Sequence, residues 1–152
     1  MRKTFFIIAT LFIFTSLQAY SQADRVIGIW LTEKQNSQVD IYKNAAGKYE
    51  GKLVWLKEPL DENGRPKTDK ENPDASMRNR PLRGTILLRD FVYDERAREW
   101  KSGTIYDPEN GKTYDAYMWL DGNNTLKIKG FVLGMRFMGR STTWSRERSV
   151  RN

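Results

Sequence analysis

The chain has 152 residues, a length that favours a single domain large enough to bury a core without covalent cross-links. It contains no Cys and no His, which excludes disulfides, thiolate metal sites and any catalysis that depends on a Cys or His side chain. The formal net charge is +7, but basic and acidic residues are interspersed, which favours a solubilising surface over a nucleic-acid-binding face.

The N-terminal segment has the pattern of an export signal. A basic pair at positions 2 and 3 precedes an apolar run over residues 5–14, and small and polar residues follow. The run is short for a membrane span, which takes about 20 residues. The sequence therefore predicts a cleaved signal peptide over residues 1–23, with no membrane anchor afterwards, and a periplasmic or secreted protein. Two stretches fit the cleavage pattern, Leu17-Gln18-Ala19 and Ser21-Gln22-Ala23.

Short segments of alternating or β-branched residues follow and predict about eight strands. They are Val26 to Thr32, Gln38 to Tyr42, Lys48 to Lys57, Arg83 to Val92, Glu99 to Tyr106, Lys112 to Trp119, Leu126 to Val132 and Arg136 to Arg146. No segment shows sustained helical periodicity. An all-β, antiparallel up-and-down barrel fits because closure leaves no exposed edge. We expect residues 24–148 to form this single domain and residues 149–152 to form a polar tail.

The clearest local signal is a hairpin turn at residues 107–111. Asp107 can accept hydrogen bonds from backbone groups two residues on, Pro108 fixes φ, and Gly111 supplies a positive φ. Asp107 and Asp115 are also the first carboxylates to consider as an acid–base pair. Turn chemistry alone accounts for Asp107, so we expect no catalytic role for it.

A long excursion, residues 58–81, interrupts the strands with proline and charge. Loops of this length are usually functional or disordered. Within it, residues 74–80 are expected to form one short helical turn, and Asn72-Pro73-Asp74 is either a functional element or a turn. Asp61-Glu62-Asn63-Gly64 offers oxygen ligands but lacks the later spacing of a calcium loop, so we expect no metal site.

A set of motifs spread over nearly the whole mature chain resembles the exported bacterial family known as DUF 2147. The matching motifs are Gly28-x-Trp30, Tyr49-x-Gly51-x-x-Val54-Trp55, Asn72-Pro73-Asp74, Leu82-x-Gly84, Trp100-x-x-Gly103-x-Ile105-Tyr106-Asp107-Pro108-x-x-Gly111-x-Thr113-Tyr114, Leu126-x-x-x-Gly130 and Gly139-Arg140-x-x-x-Trp144-x-Arg146. The resemblance implies a lipocalin-like barrel and brings no agreed activity. Gly28-x-Trp30 and Arg146 also resemble lipocalins, in which an Arg packs over the Trp at the closed end of the barrel.

An eight-stranded barrel is either filled with side chains or holds one small ligand. Side chains at apolar strand positions are candidates for such a cavity or for a filled core: Trp30, Tyr49, Trp55, Tyr106, Tyr114 and Met118. For Trp30 a structural plug is favoured. Arg78, Arg80 and Arg140 are candidates for the mouth, where they would receive an anionic headgroup, or else they face water.

Three functions are compatible with these patterns. We expect an exported, non-enzymatic, lipocalin-like protein that binds a small apolar or amphipathic molecule without a cofactor. The first alternative is a module without a cavity that contacts an envelope component through its outer face and long loop. The second is a carboxylate-based envelope hydrolase, against which the lack of His and of a Ser or Thr nucleophile motif counts.

Overall fold

The structure, a computed structural model, describes residues 21–152, so most of the predicted signal peptide lies outside it. Eight strands form a closed antiparallel barrel in which each strand pairs with the next and the last pairs with the first. They are β1 (Gly28–Leu31), β2 (Ser37–Lys43), β3 (Tyr49–Leu56), β4 (Ile86–Asp94), β5 (Glu99–Asp107), β6 (Lys112–Leu120), β7 (Thr125–Phe131) and β8 (Arg140–Glu147). The predicted all-β, antiparallel up-and-down barrel is confirmed.

The up-and-down order gives the barrel two different ends. The β1–β2, β3–β4, β5–β6 and β7–β8 connections meet at one end, which we call the open end. At the opposite, closed end the N-terminal segment crosses the barrel as a 3-10 helix, Gln22–Val26. The Ala23 carbonyl accepts from the Trp100 indole (3.0 Å), and the Asp24 carboxylate accepts from the Tyr49 hydroxyl (2.6 Å). Across residues 21–152, no helix combines the length and apolar character needed to cross a bilayer.

Large side chains fill the closed half of the barrel. The fully buried members are Val26, Trp30, Val39, Ile41, Leu88, Phe91, Met118 and Leu126, joined by Tyr49 and Trp100, and buried Ile128 lies at the boundary with the open half. The Phe91 ring lies flat against Gly103, where an added Cβ would come within 2.4 Å of the ring. Gly103 therefore makes room for an aromatic ring that the barrel interior could not otherwise hold.

Three strands begin two or more residues later than the sequence predicts. The first strand begins at Gly28 because Val26 still belongs to the preceding 3-10 helix. The fourth begins at Ile86 because Gly84, at φ +97°, belongs to a turn. The last begins at Arg140 because Arg136–Met138 forms another 3-10 helix. The predicted short helical turn after residue 74 is confirmed as the 3-10 helix Ala75–Met77.

The C-terminal residues 149–152, expected as a free polar tail, lie against the outer face of β2 and β3. The buried Gln38 amide accepts from the Arg151 backbone (2.8 Å). The Trp55 indole donates to the Asn152 carbonyl (3.3 Å), and the Arg151 guanidinium lies 5.3 Å from the Trp55 ring centre. This segment is therefore part of the folded domain.

Candidate functional site

The open half of the barrel contains a cavity of about 1470 Å³ that opens to solvent. Its walls include Leu53, Leu56, Leu82, Leu87, Ile105, Ile128 and Trp144. Charged and polar side chains surround the mouth, among them Glu33, Lys34, Glu58, Lys67, Asp107, Glu109 and Arg140. Small-molecule sites typically enclose about 300–1,000 Å³, so the cavity has room for a whole small molecule.

Strand alternation on β8 shows how the wall is built. Thr142 and Trp144 line the cavity, opposite Ile128 and Leu126 of β7. Thr143, between them, is exposed on the outer face. Because adjacent residues of a strand point to opposite faces, the Thr142 side chain lies inside the barrel and the Thr143 side chain lies outside it, at neighbouring positions of β8.

The long loop, residues 57–85, is an ordered wall of the cavity. Its one buried carboxylate, Asp69, accepts from the Tyr106 hydroxyl (2.7 Å) and from the Asn72 side-chain amide (2.8 Å). The Asp69 backbone N–H donates to the Arg80 carbonyl (3.0 Å). The bond from Tyr106 holds the loop to β5, because breaking it would take a hydrogen-bond donor away from a buried charge.

A second attachment joins this loop to the β5–β6 hairpin. Gly111, at φ +71°, packs against the Glu71 carbonyl so closely that an added Cβ would lie 2.0 Å from its oxygen. Next to Glu71, the Asn72 side chain accepts from the Asp74 N–H (2.9 Å) and so closes a turn. The Asn72-Pro73-Asp74 motif thus shapes the loop that meets the hairpin.

The Tyr106–Asp69 hydrogen bond predicts a loss of stability in alkali. Burial raises the pKa of the Tyr106 hydroxyl above its ordinary value of about 10, and the bond to Asp69 raises it further. Because the folded pKa lies above the unfolded one, this stabilisation is complete below about pH 10 and is lost as the pH rises above it. Tyr106→Phe should be less stable than wild type near pH 9, and the difference should narrow near pH 11. Urea unfolding at both pH values measures it, and an unchanged difference would contradict the assignment.

Three of the predicted ligand-binding residues line the cavity. Tyr106 and Tyr114 lie near the β5–β6 hairpin, and Arg140 lies at the start of β8. Arg140 is exposed and forms no ion pair within the described part of the chain. Its guanidinium is therefore available to a polar group at the mouth.

Three others belong to the packed core instead. Trp30, Tyr49 and Met118 are buried in the closed half of the barrel and do not line the cavity. Tyr49 packs edge-on against Trp100, with ring centres 6.3 Å apart. The structural plug expected for Trp30 applies to all three.

Trp55 lies on the outer face, contrary to the alternation of the sequence. β2 and β3 pair with a bulge, in which Gln38 faces Trp55 while Val39 faces Leu53. The additional residue, Val54, changes the phase of the strand. Trp55 therefore packs under the C-terminal segment, and Leu56 lines the cavity in its place.

The two loop arginines also differ from the prediction. Arg78 donates from Nε to the Asn72 carbonyl (2.8 Å), and Arg80 donates to the Met77 sulfur (2.9 Å). Neither lines the cavity. They brace the long loop from its exposed side, so of the three predicted basic residues only Arg140 is at the mouth.

The carboxylates considered for catalysis do not converge. Asp107 accepts from the Glu109 N–H (2.9 Å) and closes the hairpin turn, whereas Asp115 is exposed outside the cavity. Asp61 closes a turn by accepting from the Asn63 and Arg65 N–H groups, and the bond from Arg65 holds its pKa below the ordinary value. Residues 21–152 contain no group of three or more Asp or Glu side chains placed to hold a metal ion.

Most wall residues were missed by the sequence analysis, although a signal for them exists. In an up-and-down barrel, alternate connections meet at one end, and the N-terminal segment covers the other. Inward positions next to the β1–β2, β3–β4, β5–β6 and β7–β8 connections would then be expected to line the cavity. That rule selects Leu53, Ile105, Tyr114 and Thr142 and leaves Tyr49 in the core.

The closed end carries a cation–π contact. The Arg146 guanidinium lies 4.2 Å from the Trp30 ring centre and donates to the carbonyls of Arg25, Ile27 and Asn123. Gly28, at φ +135°, leaves the space, since an added Cβ would lie 2.9 Å from Arg146 Nη1. The lipocalin-like pairing predicted for Trp30 and Arg146 is therefore present.

Comparison with known proteins agrees with this geometry. Residues 28–146 match the family described as "Uncharacterized protein conserved in bacteria (DUF2147)". The chain belongs to the DUF2147 family. A solved structure described as "Protein HP1028 from the human pathogen Helicobacter pylori belongs to the lipocalin family" is similar to this DUF2147 protein, with 28% identity and a TM-score of 0.66 over 80% of this chain and 82% of that one. No curated protein matches the chain.

Proposed function

We propose that this DUF2147 protein is an exported, non-enzymatic binding protein that holds a small apolar or amphipathic molecule in the open half of its barrel. One observation carries the proposal: a cavity of about 1470 Å³ with apolar walls and a polar mouth. An apolar group gains free energy on entering such a space, at roughly 25 cal/mol per Å² of surface removed from water. A polar head would remain at the mouth near Arg140.

Two features support a binding protein rather than an enzyme. Asp107 is engaged in the hairpin turn and Asp115 lies outside the cavity, so the carboxylate pair considered for hydrolysis is not assembled. The long loop forms one wall of the cavity, and it is held in place by the Asp69–Tyr106 hydrogen bond and by the packing of Glu71 against Gly111. A ligand would therefore enter through a preformed mouth, which favours reversible binding without a large rearrangement.

The proposal includes export by a cleaved signal peptide. The Ser21 side chain caps the first 3-10 helix, and the Ala23 carbonyl accepts from the buried Trp100 indole. Cleavage after Ala23 would remove both groups, whereas cleavage after Ala19 would keep them. We therefore expect the signal to end at Ala19 and the mature chain to begin at Tyr20, rather than the cleavage after Ala23 that a signal over residues 1–23 implies. Intact-mass measurement of the protein from a periplasmic or culture fraction tests this, and a chain beginning at Asp24 would contradict it.

The binding site is tested by filling the cavity from β8. Thr142→Trp places an indole among the walls, and we expect it to weaken binding of an environment-sensitive amphipathic probe, such as N-phenyl-1-naphthylamine, by about tenfold or more. Thr143→Trp is the matched control, because it places the same side chain on the outer face one residue away. Fluorescence titration measures both. Equal affinities for the two variants would contradict a site inside the barrel.

A further inference from the structure

The β7–β8 connection exposes an unusual amount of apolar surface at the mouth of the cavity. Val132 is 51% exposed, Leu133 87%, Phe137 79% and Met138 69%. We call these four residues the apolar lip. Large apolar side chains that are this exposed and this close together mark interaction sites more often than chance surface positions. Val132 and Met138 also line the mouth, so the lip adjoins the entrance.

Hydrogen bonds within the connection and contacts with neighbouring strands hold the segment that carries the lip, including one from Lys129 Nζ to the Phe137 carbonyl (3.5 Å). Leu133 and Gly134 have positive φ, and the Met135 N–H donates to the Val132 carbonyl (3.0 Å). The Arg136 side chain is turned away from the lip, donates to Glu99 (2.7 Å), and lies 3.8 Å from the Tyr117 ring centre. The apolar side chains are therefore presented to the outside of the barrel.

Aromatic residues continue the surface along the outer face of β6. The Tyr117 and Trp119 rings stack with centres 5.5 Å apart, and the Phe131 ring lies 6.1 Å from that of Tyr117. Tyr and Trp on the outside of a protein, next to exposed aliphatic residues, are typical of a surface that meets the boundary between water and lipid.

The stretch of sequence that carries the lip is basic. Residues 125–140 contain four basic side chains, Lys127, Lys129, Arg136 and Arg140, and no acidic one. Lys127 and Arg136 pair with Asp121 and Glu99, whereas Lys129 and Arg140 form no ion pair within residues 21–152. The described chain as a whole has 24 basic and 19 acidic side chains, a net charge of +5. A negatively charged surface complements this arrangement.

We propose that the apolar lip docks the barrel onto an anionic lipid bilayer, with Leu133 and Phe137 inserted at the level of the headgroups and Lys129 and Arg140 against the lipid phosphates. Shallow insertion of apolar side chains, combined with attraction of basic residues to anionic lipid, is sufficient for reversible membrane binding. Docking in this orientation would place the cavity mouth at the membrane surface. It does not depend on ligand binding, so it goes beyond the function proposed above.

The experiment is flotation of the purified protein with phosphatidylcholine vesicles that contain about 30% phosphatidylglycerol, compared with phosphatidylcholine alone. We expect binding to the anionic vesicles that decreases as salt is added. The double variant Leu133→Ser/Phe137→Ser should bind at least about tenfold more weakly. Ile27→Ser/Val92→Ser is the matched control, because these exposed apolar residues (39% and 45%) lie elsewhere on the barrel. It should bind as wild type does.

Further measurements separate the possible outcomes. Thermal melting checks that the variants fold, and Thr142→Trp should float as wild type does even when it no longer binds the probe. Absence of wild-type binding to anionic vesicles, or full binding by Leu133→Ser/Phe137→Ser, would overturn the proposal. Sedimentation velocity tests the other occupant: self-association lost in that double variant, without vesicle binding, would assign the lip to a second copy of the chain and would also overturn it.

Discussion

Replacing Trp30 by Ala is expected to lower the free energy of unfolding by about 3–5 kcal/mol. The side chain is fully buried at the closed end of the barrel, and its indole N–H donates to the Val26 carbonyl (2.8 Å). The substitution leaves a cavity in the core and removes the ring on which Arg146 lies. Urea-induced unfolding followed by circular dichroism measures the change.

Trp55→Ala is the matched control, since it removes the same side chain from the outer face. Trp55 is half-buried beneath Arg151 rather than enclosed in the core. We expect a loss of about 1 kcal/mol. Losses of equal size for the two tryptophans would show that the closed end does not have the special structural role assigned to it here.

Gly111→Ala should lower the free energy of unfolding by about 2–4 kcal/mol, the second large effect. The added Cβ would collide with the Glu71 carbonyl oxygen, and the φ of +71° disfavours any side chain. Because Glu71 lies in the long loop, the collision should displace that wall of the cavity. Limited proteolysis should then cut the variant within residues 58–81 faster than wild type.

Gly122→Ala separates the cost of the positive φ from the cost of the collision with Glu71. Gly122 has nearly the same φ, +75°, but nothing lies within 4 Å of an added Cβ. Only the backbone cost remains, about 1 kcal/mol. If Gly111→Ala and Gly122→Ala lose the same stability and show the same proteolysis, the contact between the hairpin and the long loop has no energetic importance.

The barrel could be predicted from the sequence because its signals are local. Alternation marks each strand, and Asp107, Pro108 and Gly111 specify their turn without help from the rest of the chain. The Trp30–Arg146 contact joins the first strand to the last, and its prediction came from the resemblance to lipocalins rather than from periodicity. The closed topology brings these two residues together, because β1 pairs with β8.

The position of Trp55 could not be predicted, because a bulge leaves no mark in the alternation that it interrupts. Tyr49, Gly51, Leu53 and Trp55 are alternate residues, so the sequence places their side chains on one face. Only the pairing with β2 shows that the bulge moves Trp55 to the other face. The same limit applies to the last strand. Residues 136–138 continue its pattern, yet they turn as a 3-10 helix before β8 begins at Arg140.

The candidate site could not be predicted from the sequence, because contacts between distant parts of the chain form it. Asp69 and Tyr106 are 37 positions apart, and no sequence motif next to either residue indicates that the two side chains form a hydrogen bond. The division between core and cavity is likewise a property of the whole barrel. Tyr49 and Tyr114 are both tyrosines at apolar strand positions, and only their distance from the open end separates a core residue from a wall residue.

Native mass spectrometry of protein purified gently from the cells that produce it shows whether the barrel holds a ligand. We expect a defined additional mass that organic extraction removes. We also expect this mass to be present on wild type and on Thr143→Trp and to be absent from Thr142→Trp, whose indole occupies the cavity. The same additional mass on Thr142→Trp as on wild type would contradict a binding site inside the barrel, because the molecule would then be bound elsewhere on the protein.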